Sequence, residues 1–198
     1  MHFPADVLAG WGIASGSLVF AGSLLTTLQG AERLTGLRTT GIWYGLAAAV
    51  LLGDQVAKAV VSLLFDYGDQ VAVTPFFNLV HFRNNGAAFS LLAGAGGWAR
   101  FGFAALALGI SLWLIRLLRQ GVSKWEGVGY CLILGGALGN AVDRLLRGAV
   151  VDFLDFHWQG AHWPAFNLAD VAISLGAVCL LAAAVHQGKL AAQDPGYQ

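Results

Sequence analysis

Residues 42–65 read IWYGLAAAVLLGDQVAKAVVSLLF, 24 residues with only two charges, Asp54 and Lys58. A hydrocarbon core of about 30 Å takes about 20 helical residues to cross, so this block is long enough for one span. Three more follow, at residues 98–118, 125–142 and 168–186. Four such blocks in 198 residues predict an all-α polytopic membrane protein with a four-transmembrane-helix core. A fifth apolar block, residues 7–28 (VLAGWGIASGSLVFAGSLLTTL), is rich in Gly and Ser. It reads as an extra N-terminal helix, an interfacial segment or an upstream stretch, and it lacks the basic flank of a signal peptide.

Composition agrees with a membrane class. The chain is 57% apolar and 11% charged, against about 25% charged in a typical soluble domain. That excludes an ordinary water-soluble globule, a disordered chain and a nucleic-acid binder working through a basic face. Formal net charge is zero, so charge names no partner. Cys131 and Cys179 both fall in apolar blocks without C-x-x-C spacing, which reads as two small buried apolar residues.

Basic residues set the expected direction of the spans. Arg33, Arg38, Arg116, Arg119, Lys124 and Lys189 fall at one set of span ends, and Arg83, Arg100, Arg144 and Arg147 at the other. The first set is expected on the cytoplasmic side, with the C-terminus. Segments 66–97 and 143–167 are then external. Within the first, VAVTPFFNLVHF (residues 71–82) carries β-branched and aromatic residues in a strand-like run ahead of an Asn84-Asn85-Gly86 turn, which predicts a small external β-sheet. The second, VVDFLDFHWQGAHWPAF (residues 150–166), has the Trp and Phe content of a lipid–water interface.

Ionisable groups within or beside a span are costly, so each is a candidate site residue. Asp54 and Lys58 stand at i and i+4 on one helix face, the favourable order for a structural ion pair. Gly135 and Gly139 form a G-x-x-x-G face for close helix packing. Asn140, Asp143 and Arg144 follow at i, i+3 and i+4. They suit either donors to a peptide carbonyl or a cluster holding the helix end. Asp152 and Asp170 lie 18 residues apart at the expected external boundary, with Asn167 one turn before Asp170. If the intervening segment folds back, two carboxylates in a partly desolvated pocket share one proton. One can then act as general base on a water while the other protonates a carbonyl oxygen. A structural role for at least one of them is equally open at this level. His157 and His162 are too weakly spaced for a metal site and read as interfacial. Neither G-x-S-x-G nor H-E-x-x-H occurs, nor a glycine-rich phosphate loop.

Taken in order, these residues resemble a known family. D-Q-x-x-K (54–58), N-x-G-A-A-F-S (84–90), G-G-A-x-G-N-x-x-D-R (135–144), V-V-D-F (150–153) and F-N-x-A-D (166–170) look like lipoprotein signal peptidase, bacterial signal peptidase II. The resemblance covers residues 42–186. It implies an intramembrane aspartyl endopeptidase of the bacterial inner membrane with its active site near the external face. Such enzymes remove signal peptides from diacylglyceryl-modified prolipoproteins, cutting just before the lipidated lipobox cysteine. It further implies Asp152 and Asp170 as the catalytic pair and Asp143 as supportive. Asn84, Gly86, Asn140, Arg144 and Asn167 surround the pair, and Asp54 and Lys58 serve positioning. The expected partners are prolipoprotein substrates, membrane lipids and globomycin-type inhibitors, with no metal, no cofactor, no nucleic acid and a monomeric state. The strand-like segment and the 84–90 turn are expected to clamp the substrate by strand addition, and the loop bearing Trp158 and Trp163 to act as a lid. About forty residues precede the first span where family members usually have few. The expected organisation is therefore an extension at 1–40, a membrane domain at 41–188 and a short cytoplasmic tail at 189–198. Two rival readings differ in class: a small transporter or proton relay, and a non-catalytic lipoprotein-binding factor.

Overall fold

The computed structural model describes residues 40–85 and 98–193. The N-terminal block at 7–28 and Gly86 with the rest of the 86–90 turn lie outside the described residues. In chain order the elements are α1 (Thr40–Leu64), β1 (Gln70–Thr74), β2 (Phe77–Asn84), α2 (Ala99–Leu118), α3 (Lys124–Leu146), β3 (Val150–Trp158), β4 (Ala161–His162) and α4 (Leu168–Gln193).

Among the described residues, three helices are long and apolar enough to cross a membrane: Thr40–Leu64, Ala99–Leu118 and Leu168–Gly188. Their outward faces carry large apolar residues, among them Leu52, Leu63, Phe101, Leu112, Val178 and Leu181, all more than half exposed. A soluble monomer rarely shows a continuous apolar surface of that extent, and the chain is a multi-pass membrane protein.

The helix α3 is 23 residues, about 35 Å at 1.5 Å per residue, yet it does not join those three by composition. The reason is its position. It packs against both α2 and α4 and reaches α1 through Gly127 and Gly135. Its buried residues are mostly small or polar, among them Gly127, Gly129, Gly135, Gly136, Gly139 and Asn140, with Leu134 the one buried leucine. At Gly135 an added Cβ would stand 2.6 Å from the Ala47 carbonyl oxygen, and at Gly136 2.5 Å from that of Ala169. The expected G-x-x-x-G pair, Gly135 and Gly139, thus faces α1, where a Cβ on Gly139 would stand 2.6 Å from Asp54 Oδ2, while the neighbouring Gly136 admits the start of α4. A capping box starts α3, with Ser123 and Glu126 bonding each other's backbone N–H.

The strand-like segment forms β1 and β2 as expected, but the sheet is larger than the sequence suggests. Residues 150–166, read as an interfacial loop, contain β3 and β4, and the antiparallel order is β1-β2-β3-β4. The Trp and Phe side chains that suggested an interface are also strand formers, and alternation is hidden because Val150 to Phe153 are all buried. The hairpin turn is Gln159-Gly160, both at positive φ (49° and 84°), as a two-residue primed turn requires. In β2 the register slips between Leu79 and Phe82, opposite Leu154 and Asp152 of β3. At this bulge Val80 and His81, though successive, are both buried, the local re-aiming that a bulge provides.

Candidate active site

Four elements place polar side chains at one end of α3. From β3, Asp152 stands across the ladder from Phe82, so Asn84 two residues further along β2 shares its face. Asn84 Nδ2 donates to Asp152 Oδ2 at 3.1 Å. From the start of α4, Asn167 Nδ2 donates to Asp152 Oδ1 at 2.7 Å. From α3, Asn140 Nδ2 donates to Asp170 Oδ1 at 2.8 Å. Asp170 Oδ2 accepts from the Asn167 backbone N–H at 3.3 Å, and Asn167 Oδ1 accepts from the Asp170 N–H at 3.1 Å. That reciprocal pair is a capping box closing the first turn of α4.

Asp152 and Asp170 both line a cavity of about 540 Å³. Its polar wall is completed by Asn84, Asn140 and Arg144, and its apolar wall by Val150, Trp163 to Phe166 and the α4 residues Val171, Ile173 and Leu175. Burial first, and then the neighbouring Asp170 charge, push the Asp152 carboxyl up from 3.8 to about 6. Arg144 reaches the cavity from α3, donates to the Asn140 carbonyl at 3.2 Å and lies 5.3 Å from the centre of the Phe103 ring.

The other acidic candidates are occupied differently. Lys58 Nζ sits 2.8 Å from Asp54 Oδ2 and 3.1 Å from Asp143 Oδ2, all three side chains at 0% exposure. It also donates to Asn140 Oδ1 at 3.0 Å. An ammonium has three protons, so all of them are used. Asp54 Oδ1 accepts the Ala169 N–H at 2.9 Å, and Asp143 accepts the Val151 N–H at 3.1 Å and a bond from Arg147. Asp143 therefore pairs with Lys58 and Arg147, where sequence spacing had offered Arg144 as its neighbour. Each carboxylate ties α1 or α3 to the backbone that carries a cavity aspartate: Asp54 to Ala169 beside Asp170, and Asp143 to Val151 beside Asp152.

The structure thus brings together nine of the ten sequence candidates, with Asp54, Lys58 and Asp143 forming a buried layer behind the cavity, Asn84, Asn140, Arg144 and the two aspartates lining it, and Asn167 bonded to both aspartates. The tenth, Gly86, is outside the described residues. Sequence reasoning missed Gln55, whose Nε2 bonds both the Gly139 carbonyl and Asp143 Oδ1 at 3.1 Å. Its signal was present, as the second letter of D-Q-x-x-K. His157 and His162 stack with ring centroids 5.0 Å apart, and among the described residues no group of three or more His, Cys, Asp or Glu is placed to hold a metal ion.

Comparison with known proteins follows the same boundaries. The model of the family described as Signal peptidase (SPase) II matches residues 46–186. A lipoprotein signal peptidase of Serratia marcescens is 51% identical over 141 residues, covering 71% of this chain and 81% of that protein. One from Aeromonas hydrophila subsp. hydrophila is 54% identical over 150 residues, 74% of this chain and 87% of its own. A bacterial membrane enzyme solved by the in meso method at 2.3 Å superposes with a TM-score of 0.67 at 32% identity, over 75% of this chain and 90% of that one. A second, at 1.9 Å, gives 0.63 and 33% over 72% and 92%. The chain belongs to the signal peptidase II family, a family of aspartic peptidases.

Proposed function

We propose that this protein removes the signal peptide from diacylglyceryl-modified prolipoproteins, with Asp152 and Asp170 as the catalytic pair. The observation that carries the assignment is the contrast between two kinds of aspartate. Asp54 and Asp143 are neutralised by Lys58 and Arg147 away from the cavity, whereas Asp152 and Asp170 share a cavity and are held by asparagine amides. Neutral amides fix a carboxyl group without adding a positive charge, so the pair can keep one proton between them and titrates as a unit.

The chemistry then proceeds by general acid–base steps. One carboxylate takes a proton from a water, whose oxygen attacks the scissile carbonyl carbon. The other carboxyl gives its proton to the carbonyl oxygen, forming a gem-diol. The carboxyl that took the water proton then gives it to the leaving nitrogen while the other carboxylate takes a proton from a gem-diol hydroxyl; the carbonyl re-forms as the C–N bond breaks, and the pair again holds one proton. Arg144 and Asn140 line the cavity as donors to substrate carbonyls. No covalent enzyme intermediate is formed.

In this reading α3 is the fourth span, the two aspartates lie near the external face of the bacterial inner membrane, and the C-terminus is cytoplasmic. The apolar side of the cavity, along Val171 and Leu175, is where the substrate's acyl chains lie against α4, and globomycin-type inhibitors occupy the same cavity. The sheet lies on the external surface with Trp158 and Trp163 as lid residues, and the enzyme acts as a monomer. Purified protein in detergent micelles is expected to cleave a diacylglyceryl-modified prolipoprotein just before the lipidated cysteine and to leave the unmodified precursor intact. Equal cleavage of both, or of neither, would overturn the assignment.

A further inference from the structure

One buried carboxylate takes no part in the cavity or in the layer behind it. Asp155 on β3 is 3% exposed. Asn78 Nδ2 of β2 donates to its Oδ2 at 2.7 Å, and His162 Nδ1 of β4 lies 2.9 Å from both of its oxygens. A carboxylate only accepts, so Nδ1 is the protonated nitrogen. His157, the cross-strand neighbour of His162, stacks on it at 24°.

We propose that Asp155 and His162 are positioning residues that hold the Trp163–Ala165 wall of the active-site cavity in place; this rests on the cavity being the peptidase site. Alternation along a strand puts successive side chains on opposite faces. Fixing His162 on the Asp155 face therefore presents the next residue, Trp163, on the other, where it lines the cavity. The wall segment is anchored at two ends. Beyond it, Phe166 exchanges backbone bonds with Leu154 at 2.8 and 3.0 Å. Before it, the Trp163 N–H donates to the Phe156 carbonyl at 2.8 Å. Only two residues of β4 pair with β3, too short a ladder to fix a hairpin alone. The buried carboxylate supplies the missing hold through a charge-assisted bond, which is stronger than a neutral one. The wall touches substrate rather than the reacting carboxyls, so its displacement weakens binding before it slows chemistry.

Three variants separate the effects. In His162→Ala the bond is lost. His162→Asn keeps an N–H donor at the Nδ1 position, whereas His162→Gln moves the amide one bond too far from Asp155. With the diacylglyceryl-modified substrate, His162→Ala and His162→Gln are expected to raise KM about tenfold with kcat held within about twofold, the scale of one charge-assisted hydrogen bond. Asparagine is expected to restore KM. Hydrogen exchange at the Trp163 amide, read without substrate, is expected to quicken in the alanine and glutamine variants and not in the asparagine one. Unchanged KM and unchanged exchange in the glutamine variant, with the wild type active, would overturn the positioning role alone. A wild type that cleaves nothing would overturn the peptidase reading together with it.

Discussion

Asn167 and Asp170 cap each other across the first turn of α4: each backbone N–H is bonded by the other's side chain, at 3.1 and 3.3 Å. The residue that opens the helix thereby also fixes a candidate catalytic carboxyl, and the same Asn167 amide reaches Asp152 at 2.7 Å. One side chain couples helix start, strand and carboxyl pair.

Asn167→Ala therefore removes the cap on the Asp170 N–H and the amide bond to the Asp152 carboxyl together. Loss of an N-cap costs about 1 kcal/mol, a modest fall in the thermal unfolding midpoint. Activity is expected to fall far more, about a hundredfold, because small misplacement of catalytic groups is expensive in rate. Unfolding and turnover measured on one preparation check the disproportion; parallel losses would make Asn167 a cap only.

The layer behind the cavity predicts the reverse pattern. Lys58→Met leaves Asp54 and Asp143 without their shared cation inside a dry interior, at a cost of about 3–5 kcal/mol. Thermal unfolding in micelles is the measurement. A shift no larger than that of an exposed substitution such as Arg119→Met would contradict the buried trio.

Glycines on α3 give a test of its central position. Alanine is ordinarily the better helix former by about 1 kcal/mol, and Gly45→Ala or Gly109→Ala, where nothing lies within 4 Å of the new methyl, are expected to be neutral or stabilising. Gly136→Ala and Gly139→Ala are expected to destabilise and inactivate. Their methyls would meet the Ala169 carbonyl oxygen, next to Asp170, at 2.5 Å and Asp54 Oδ2, whose carboxylate holds the Ala169 N–H, at 2.6 Å. Matching midpoints across all four variants would rule out the close packing.

Most of this arrangement was legible in the sequence, for reasons that differ by residue. Hydropathy marked α1, α2 and α4, because lipid-facing surface must be apolar. The boundaries of α3 were also readable, yet its composition is ambiguous, since a helix surrounded by protein replaces leucine with glycine. The i, i+4 spacing gave the Asp54–Lys58 pair, but not that Asp143 shares the cation, since that contact spans 85 positions in sequence. The strand β3 stayed hidden because a strand buried on both faces shows no alternation. Asn78, Asp155 and His162 sit on three strands, and no local pattern joins them.

Titration of Asp152 has a consequence for stability. Its carboxyl is raised from 3.8 to about 6 by burial and by Asp170, so the ionised form is disfavoured in the folded state. The penalty is absent below about pH 4, grows between pH 4 and 6 and is complete above, at most about 3 kcal/mol for a shift of this size. Asp152→Asn is expected to unfold at a higher temperature than wild type at pH 8, the two converging at pH 4. A gap independent of pH would mean that charge burial is not its source.

The most direct measurement is cleavage of a diacylglyceryl-modified prolipoprotein by purified wild type, Asp152→Asn, Asp170→Asn and Asp143→Asn, with a chelator present throughout. Wild type is expected to cut just before the lipidated cysteine. Asp152→Asn and Asp170→Asn are expected to lose at least about a thousandfold in rate while remaining folded, and Asp143→Asn to retain activity in proportion to its folded fraction. Undiminished cleavage by either of the first two, or abolition of wild-type cleavage by the chelator, would contradict a catalytic pair made of Asp152 and Asp170.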